Sequence, residues 1–239
     1  MTPSAEDAAP AVRLAFSGGL EGRFTPGCIH LRADAPLATL SSALVGGGVG
    51  TRGDFCNFYV DKDYAGRAPA DDLARWIAGR KINADGAVAM MTAVTLEHAA
   101  MHSAPLGNRE NAVLALATAG SGNAVDITAA GADPRLVAGT INVFVFIDAH
   151  LTPGALVNAC LSVTEAKVAA LSDENVMDAH SRTPATGTST DCVSIAATQR
   201  GAPTPYAGSG TELGRAVGRT TYRAVRESLQ AGNGEERGR

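Results

Sequence analysis

Polar side chains suited to acid–base and hydroxyl chemistry collect at the ends of two apolar runs. The first run, Ile141-Asn142-Val143-Phe144-Val145-Phe146-Ile147, holds Asn142 inside it and is followed at once by Asp148. The second, Cys192 to Ala197, is preceded by Ala185-Thr186-Gly187-Thr188-Ser189-Thr190-Asp191. Between them a helical pattern starts after Pro153 and passes through Thr164-Glu165-Ala166-Lys167. The order reads as strand, helix, strand, with carboxylates that can take a proton and hydroxyls that can orient or attack. Along an extended segment side chains alternate, which puts Thr186, Thr188 and Thr190 on one side.

The helix carries one anomaly. At about 100° per residue, Leu156, Cys160, Val163, Lys167 and Leu171 share a stripe, while Asn158, Ser162, Glu165 and Ser172 lie opposite. Glu165 therefore has an ordinary solvent face available. Lys167 does not, because an ammonium among apolar neighbours must be paired or have its pKa lowered. That requirement is met by a structural ion pair as readily as by a functional site.

Weaker signals lie elsewhere. Ser41 and Ser42 precede the Gly46-Gly47-Gly48 run, where backbone amides could approach an anion, although a plain turn explains the same residues. Asn57 sits inside the apolar strand pattern Asp54 to Val60, and Asn123 follows Gly120-Ser121-Gly122 just past another strand. In open α/β sheets ligands sit beyond the carboxyl ends of strands, the positions expected for Asn123 and Asp148. His98 and His102 have the spacing of two metal ligands on a helix face, but no glutamate lies between them and no third ligand is evident, so no metal is expected. Ser209 or Thr211 reads as a helix cap.

The elements that must position these groups follow from the same patterns. Short strands are expected at Val12 to Phe16, Cys28 to Leu31, Asp54 to Val60, Ala87 to Met91 and Ala112 to Ala119. Helices are expected over Pro69 to Arg80, over Ala93 to His98 with Thr92 as cap, after Pro153, and over Glu212 to Leu229. Asp133-Pro134 marks a loop. The central run is apolar at six of seven positions, as when both sheet faces are covered. The expected fold is α/β, a mixed sheet with helices packed on it in a single domain over residues 11–230, with tails at 1–10 and 231–239.

Composition narrows the class without naming it. Of 239 residues, 45% are hydrophobic and 18% charged, enough for a core. The net charge of −4 offers no basic surface for nucleic acid. No run of about 18 apolar residues reads as a membrane span. Cys28, Cys56, Cys160 and Cys192 have no metal spacing and read as reduced thiols in a cytoplasmic protein.

Several segments in order resemble the adenosylcobinamide amidohydrolases: Leu40-Ser41-Ser42-Ala43 with its glycines, Met90-Met91-Thr92-Ala93, Gly139-Thr140-Ile141-Asn142, Thr164-Glu165-Ala166-Lys167, Ala185 to Asp191, and Tyr206-Ala207-Gly208. The likeness spans about residues 38 to 225. It implies cleavage of the amide joining an aminopropanol arm to a corrin side chain, giving adenosylcobyric acid in corrinoid salvage. The corrinoid is then substrate and no cofactor is needed; a homo-oligomer is left open. On this basis Asp148 or Asp191 is the base for water, Lys167 the electrostatic partner, and Thr186 or Thr188 a competing nucleophile. Asn142, with Thr186 and Thr188, would orient the amide, and Ser41, Ser42, Asn57, Asn123, Glu165, Thr190 and Tyr206 are candidates to bind substrate. One departure stands out: Ser209-Gly210-Thr211 has glycine where many members of the family carry histidine. The alternative is a corrinoid-binding or regulatory protein without turnover.

Overall fold

The computed structural model describes residues 9–129 and 140–237, with side chains to residue 233. Residues 1–8 of the expected 1–10 tail, the Asp133-Pro134 loop and Gly139 lie outside the described residues. In chain order the first half holds β1 (Val12–Arg13), β2 (Leu20–Thr25), β3 (Cys28–Ser41), β4 (Gly48–Tyr59), α1 (Pro69–Gly79), β5 (Ala87–Thr92), β6 (Ala100–Leu106) and β7 (Arg109–Ala119). The second half holds β8 (Ala124–Val125), β9 (Ile141–Ile147), β10 (His150–Leu151), α2 (Pro153–Asp173), β11 (Gly187–Thr188), β12 (Cys192–Ala197), β13 (Pro203–Thr204) and α3 (Glu212–Arg237). This is the expected mixed α/β architecture.

One nine-stranded sheet curls into two facing halves. One half runs β3-β12-β9-β7-β6, with β12 parallel to β9 and antiparallel to β3. The other is formed by β4, which pairs with β3 and, in parallel, with β5. The long β3 turns the corner: its register shifts between Arg32 and Leu37, so its first part pairs with β2 and its last part with β12. A bulge bends a strand in this way by adding local twist. The halves meet through aromatic side chains, Phe55 lying 4.9 Å from Phe146 and 6.1 Å from Phe144 between ring centroids.

Strand β9 is buried at every residue. Alternation sends Ile141, Val143, Val145 and Ile147 to the core under α2 and α3, and Phe144 and Phe146 to the core between the halves. Helix α2 is capped by Thr152, whose Oγ1 accepts from Ala155 N at 3.2 Å, and Pro153 occupies its first turn. By length and composition α2 could cross a membrane, yet half of its apolar window is buried inside the fold. It serves here as a core helix, and Ser162 is buried too, donating to Ala207 O at 2.8 Å. The wheel had put Ser162 on the solvent side; α2 packs against α3 as well as the sheet, so two of its faces are covered. Helix α3 continues past Leu229 to Arg237, which makes the start of the expected C-terminal tail helical.

Three other expectations change. Ala93 to His98 is a turn ending in a short 3-10 segment, Leu96–His98, although Thr92 Oγ1 does accept from Val94 N at 3.0 Å. His102 lies on strand β6 and bonds Glu227 at 2.6 Å, so the two histidines share no helix face. The triple glycine serves backbone geometry: at Gly46, φ is +73° and a Cβ would stand 2.0 Å from Ala87 O. Only glycine allows that approach, which lets Val45 bridge to Ala89 beside β5.

The small β8–β11 ribbon is held by Asp178, which accepts from the backbone N–H of Asp126 at 3.0 Å and of His180 at 2.8 Å. Those bonds pull its pKa down to about 2 against an opposing effect of burial. Because the folded pKa is depressed, the stabilisation is present above the ordinary carboxylate range and disappears as pH falls through the folded value. The urea midpoint of wild type minus that of Asp178→Asn should be constant above about pH 5 and shrink between about pH 4 and 2.

Candidate active site

Most of the expected groups meet at one end of the curled sheet. Here β9 and β12 begin while β7 ends, since Asn142 stands opposite Thr118 on one side and Cys192 on the other. Asn142 is buried and faces the core between the halves. Its Nδ2 donates to Asn57 Oδ1 at 2.8 Å and to Met91 O at 2.9 Å, and Asn57 Nδ2 donates to Thr118 Oγ1 at 2.9 Å. Thr140 Oγ1 extends the chain of bonds, lying 3.2 Å from Asn142 Oδ1 and 2.7 Å from Thr190 O. Buried amides this fully bonded are rigid, because moving any one of them would leave another unsatisfied.

Beside this network Lys167 reaches from α2 and pairs with Asp191 Oδ2. The two side chains are 11% and 16% exposed, so the ammonium forced into the apolar stripe has the partner it requires. Asp191 Oδ1 accepts from Thr188 Oγ1 at 2.5 Å, from Thr188 N at 3.1 Å and from Ile141 N at 3.3 Å. The carboxylate thus has four donors and a fixed orientation. Gly187 makes room for the pair: a Cβ there would stand 2.5 Å from Asp191 Oδ2 and 2.7 Å from Lys167 Nζ. A hydroxyl held on a carboxylate beside an ammonium can lose its proton to that carboxylate and attack an electrophile. Alternatively the carboxylate can activate a water.

The threonines do not share one side as an extended segment would require. The ribbon ends at Thr188 and the chain turns at Ser189 and Thr190. Thr186 Oγ1 instead accepts from Ile127 N at 3.0 Å, tying the ribbon to the chain after β8. Thr190 contributes its carbonyl to Thr140 and its side chain is exposed. Asn123 Nδ2 donates to Ser189 Oγ at 3.0 Å and so borders the turn. Ser42 Oγ accepts from Val193 N at 3.0 Å and approaches Cys192 Sγ at 3.6 Å, whereas Ser41 Oγ accepts from Ala43 N at 3.1 Å within its own turn. Burial pushes the Cys192 thiol up to about 11, so at neutral pH it is not a thiolate nucleophile.

Three candidates lie elsewhere. Asp148 is at the far end of β9, about 20 Å along the strand direction from the start of β9 and β12. It accepts from Ser17 Oγ and Thr198 Oγ1, each at 2.8 Å, with Arg109 and Arg200 at 3.7 and 3.8 Å. Its buried charge is compensated there and holds loops together. Glu165 lies on the opposite face of α2 from Lys167, lining a cleft of about 380 Å³ with Arg215, Arg219 and Tyr222. Tyr206 is 67% exposed in the loop after β13, next to Ala207, whose carbonyl accepts from Ser162 at the middle of α2. A strand places its two ends far apart and a helix its two faces, and position in the chain does not reveal which end or face is shared. Sequence reasoning missed Thr140, Thr118 and Gly187; the glycine between two threonines was the available signal for close approach.

Among the described residues no cluster of three or more histidine, cysteine or acidic side chains could hold a metal ion. Breaking the buried pair should be costly: Lys167→Met is expected to lower stability by about 3 kcal/mol, because it strands Asp191 without its cation. Most of that loss should return in the Lys167→Met/Asp191→Leu double variant, read from urea unfolding of the four proteins in the cycle.

A family model described as adenosylcobinamide amidohydrolase matches residues 14–237 of this chain. An uncharacterized protein of Methanocaldococcus jannaschii is 33% identical over 97 residues, covering 40% of this chain. That match spans 38% of the length of the archaeal protein. Among solved structures, a Burkholderia sp. beta-aminopeptidase aligns with a TM-score of 0.43 at 14% identity, over 94% of this chain and 85% of its own. The PH0078 protein from Pyrococcus horikoshii OT3 aligns with a TM-score of 0.44 at 11% identity, over 91% of this chain and 82% of its own.

Proposed function

Because this chain belongs to the adenosylcobinamide amidohydrolase family, matched over residues 14–237, we propose that it hydrolyses the amide joining the aminopropanol arm of adenosylcobinamide to the corrin side chain. The products are adenosylcobyric acid and aminopropanol, and the corrinoid is substrate, with no cofactor in the reaction. The observation that carries the assignment is the Lys167–Asp191–Thr188 cluster at the strand ends, bounded by the Asn57–Asn142 network.

Asp191 takes the proton from the attacking oxygen, and Lys167 offsets the charge that develops on the carbonyl oxygen. The attacking oxygen is Thr188 Oγ1 in one version, whose proton already points at Asp191 Oδ1, and water in the other. With threonine, an ester forms as the C–N bond breaks and water then releases it; with water, the acid forms directly. In both, the departing amine leaves with a proton returned from Asp191. Asn142 and Asn57 keep the strand ends in register around the cluster. A cytoplasmic setting suits the four free thiols.

The glycine in Ser209-Gly210-Thr211 precedes α3 in a turn that borders, through Ser209, the cleft on the Glu165 face of α2, the face opposite Lys167. A missing histidine there takes nothing from the cluster, which favours turnover over binding alone.

Mass spectrometry of adenosylcobinamide and pseudocobalamin after incubation with the pure protein tests the assignment. Release of aminopropanol from adenosylcobinamide is expected; a bound but unchanged corrinoid after long incubation would establish the binding-only alternative. Asp191→Asn should lower kcat by about 10²- to 10⁴-fold, while folded Asp148→Asn should turn over at the native rate. Thr188→Val separates the versions: loss of turnover supports the threonine nucleophile, and retained turnover supports water.

A further inference from the structure

The outer face of the sheet next to α1 holds a cavity of about 610 Å³ that the amide-cleaving cluster does not use. Arg23 on β2 and His30 and Arg32 on β3 line it, together with Arg80 and Lys81 from the end of α1 and Asp54 on β4. Among the described lining residues, three guanidiniums and the Lys81 ammonium stand with one carboxylate, on a chain whose net charge is −4. The carboxylate is already engaged, since Asp54 Oδ1 lies 2.8 Å from His30 Nε2. Glu21, opposite Arg32 in the strand register, approaches Arg13 at 3.9 Å.

The cations come from two independent sources. Arg23 stands opposite His30 in the β2–β3 register, and Arg32 follows two residues along on the same face. These two are exposed, on a rigid antiparallel pair. Arg80 and Lys81 belong to the helix terminus. Arg80 bonds Trp76 O at 3.4 Å and its guanidinium lies 4.9 Å from the centre of the Phe58 ring, which holds it at the rim. Lys81 has φ of +59°, a left-handed position after the helix where glycine is the ordinary residue. Basic residues often follow a helix to complement its carbonyls. That role explains Arg80 and Lys81, and Arg32 stands opposite Asp54 and Glu21 in the strand registers, but neither arrangement explains Arg23, which lines the same space.

We propose that this cavity binds a phosphorylated small molecule through its phosphoryl groups. Guanidinium groups match phosphate oxygens bidentately, and the volume lies in the range of small-ligand sites and exceeds what a single phosphate fills. A cavity with cations from both the strand pair and the helix end suits a compact di- or triphosphate better than an extended polyanion. The site lies on the opposite face of β4 from Asn57's core-facing side, so a ligand there contacts none of the amide-cleaving cluster.

Calorimetric titration of the full chain with inorganic pyrophosphate and, separately, with ATP tests the proposal, both without added divalent metal. Saturable binding is expected for at least one, with affinity weakened about tenfold or more in Arg23→Gln/Arg32→Gln. Equal affinity for the two ligands would assign recognition to the phosphates alone, and tighter ATP binding would add the nucleoside. The variant must show wild-type circular dichroism and unfolding midpoint; if it does not, Lys81→Gln replaces it under the same criterion. No saturable heat from either ligand up to about 10 mM, or affinity unchanged in the folded variant, overturns the proposal. So does a single-stranded oligonucleotide that binds more tightly than both and displaces them, since that would make the cations a macromolecular surface.

Discussion

A lysine whose Cα lies on the apolar face of a core helix has few ways to exist, and the molecule around it is arranged to supply one. Lys167 must find an anion without leaving the space between α2 and the sheet, because an unpaired buried ammonium is too costly to retain. Asp191 meets it from the residue before β12, and the carboxylate is oriented by Thr188 and the first amide of β9. The position of α2 along the sheet, the absence of a side chain at Gly187 and the turn before β12 are therefore linked constraints. Slide any one of them by a residue and the ammonium loses its partner.

The curled sheet explains why this pair can sit beside a polar network without opening the core. Alternation along β9 sends hydrocarbon to both faces for most of its length and an amide, Asn142, only at its start. Asn57 on the facing half meets it there, so the polar groups close one end of the apolar layer rather than interrupt it. The bulge in β3 is what allows the halves to face each other, and Phe55 packs edge-on against Phe144 and Phe146 just behind the asparagines. A rigid apolar wall behind a bonded polar rim holds the side chains of the cluster in one geometry.

Asp148 illustrates that residue type does not tell which end of a strand a group occupies. It borders the same strand as Asn142 and is as buried as any catalytic acid, yet its partners are two hydroxyls and two flanking arginines that join loops. Burial and charge compensation are shared by structural and catalytic carboxylates, and only the neighbours tell them apart. Glu165 is the converse: one residue from Ala166 and two from Lys167, it faces a separate cleft because about 200° of helix rotation lies between it and the lysine.

Periodicity and local chemistry determined much of this protein before any contact was known. The bounds of β9 and β12, the proline-led starts of α1 and α2, the mixed α/β class and the demand that Lys167 be paired all follow from patterns within a few residues of each other. Those patterns also carry the family resemblance, since Thr186 to Asp191 and Thr164 to Lys167 are contiguous segments. What tertiary structure alone decided was partnership across distance: that Lys167 meets Asp191, that Asn57 meets Asn142 across 85 positions of chain, and that the threonines diverge because the ribbon turns after Thr188. The two-residue strands β8, β10, β11 and β13 and the β3 bend were equally illegible, because pairing with distant segments, rather than their own sequence, makes them strands. Local propensity acts over a few residues, while the site is assembled from segments that only sheet topology brings to the same end.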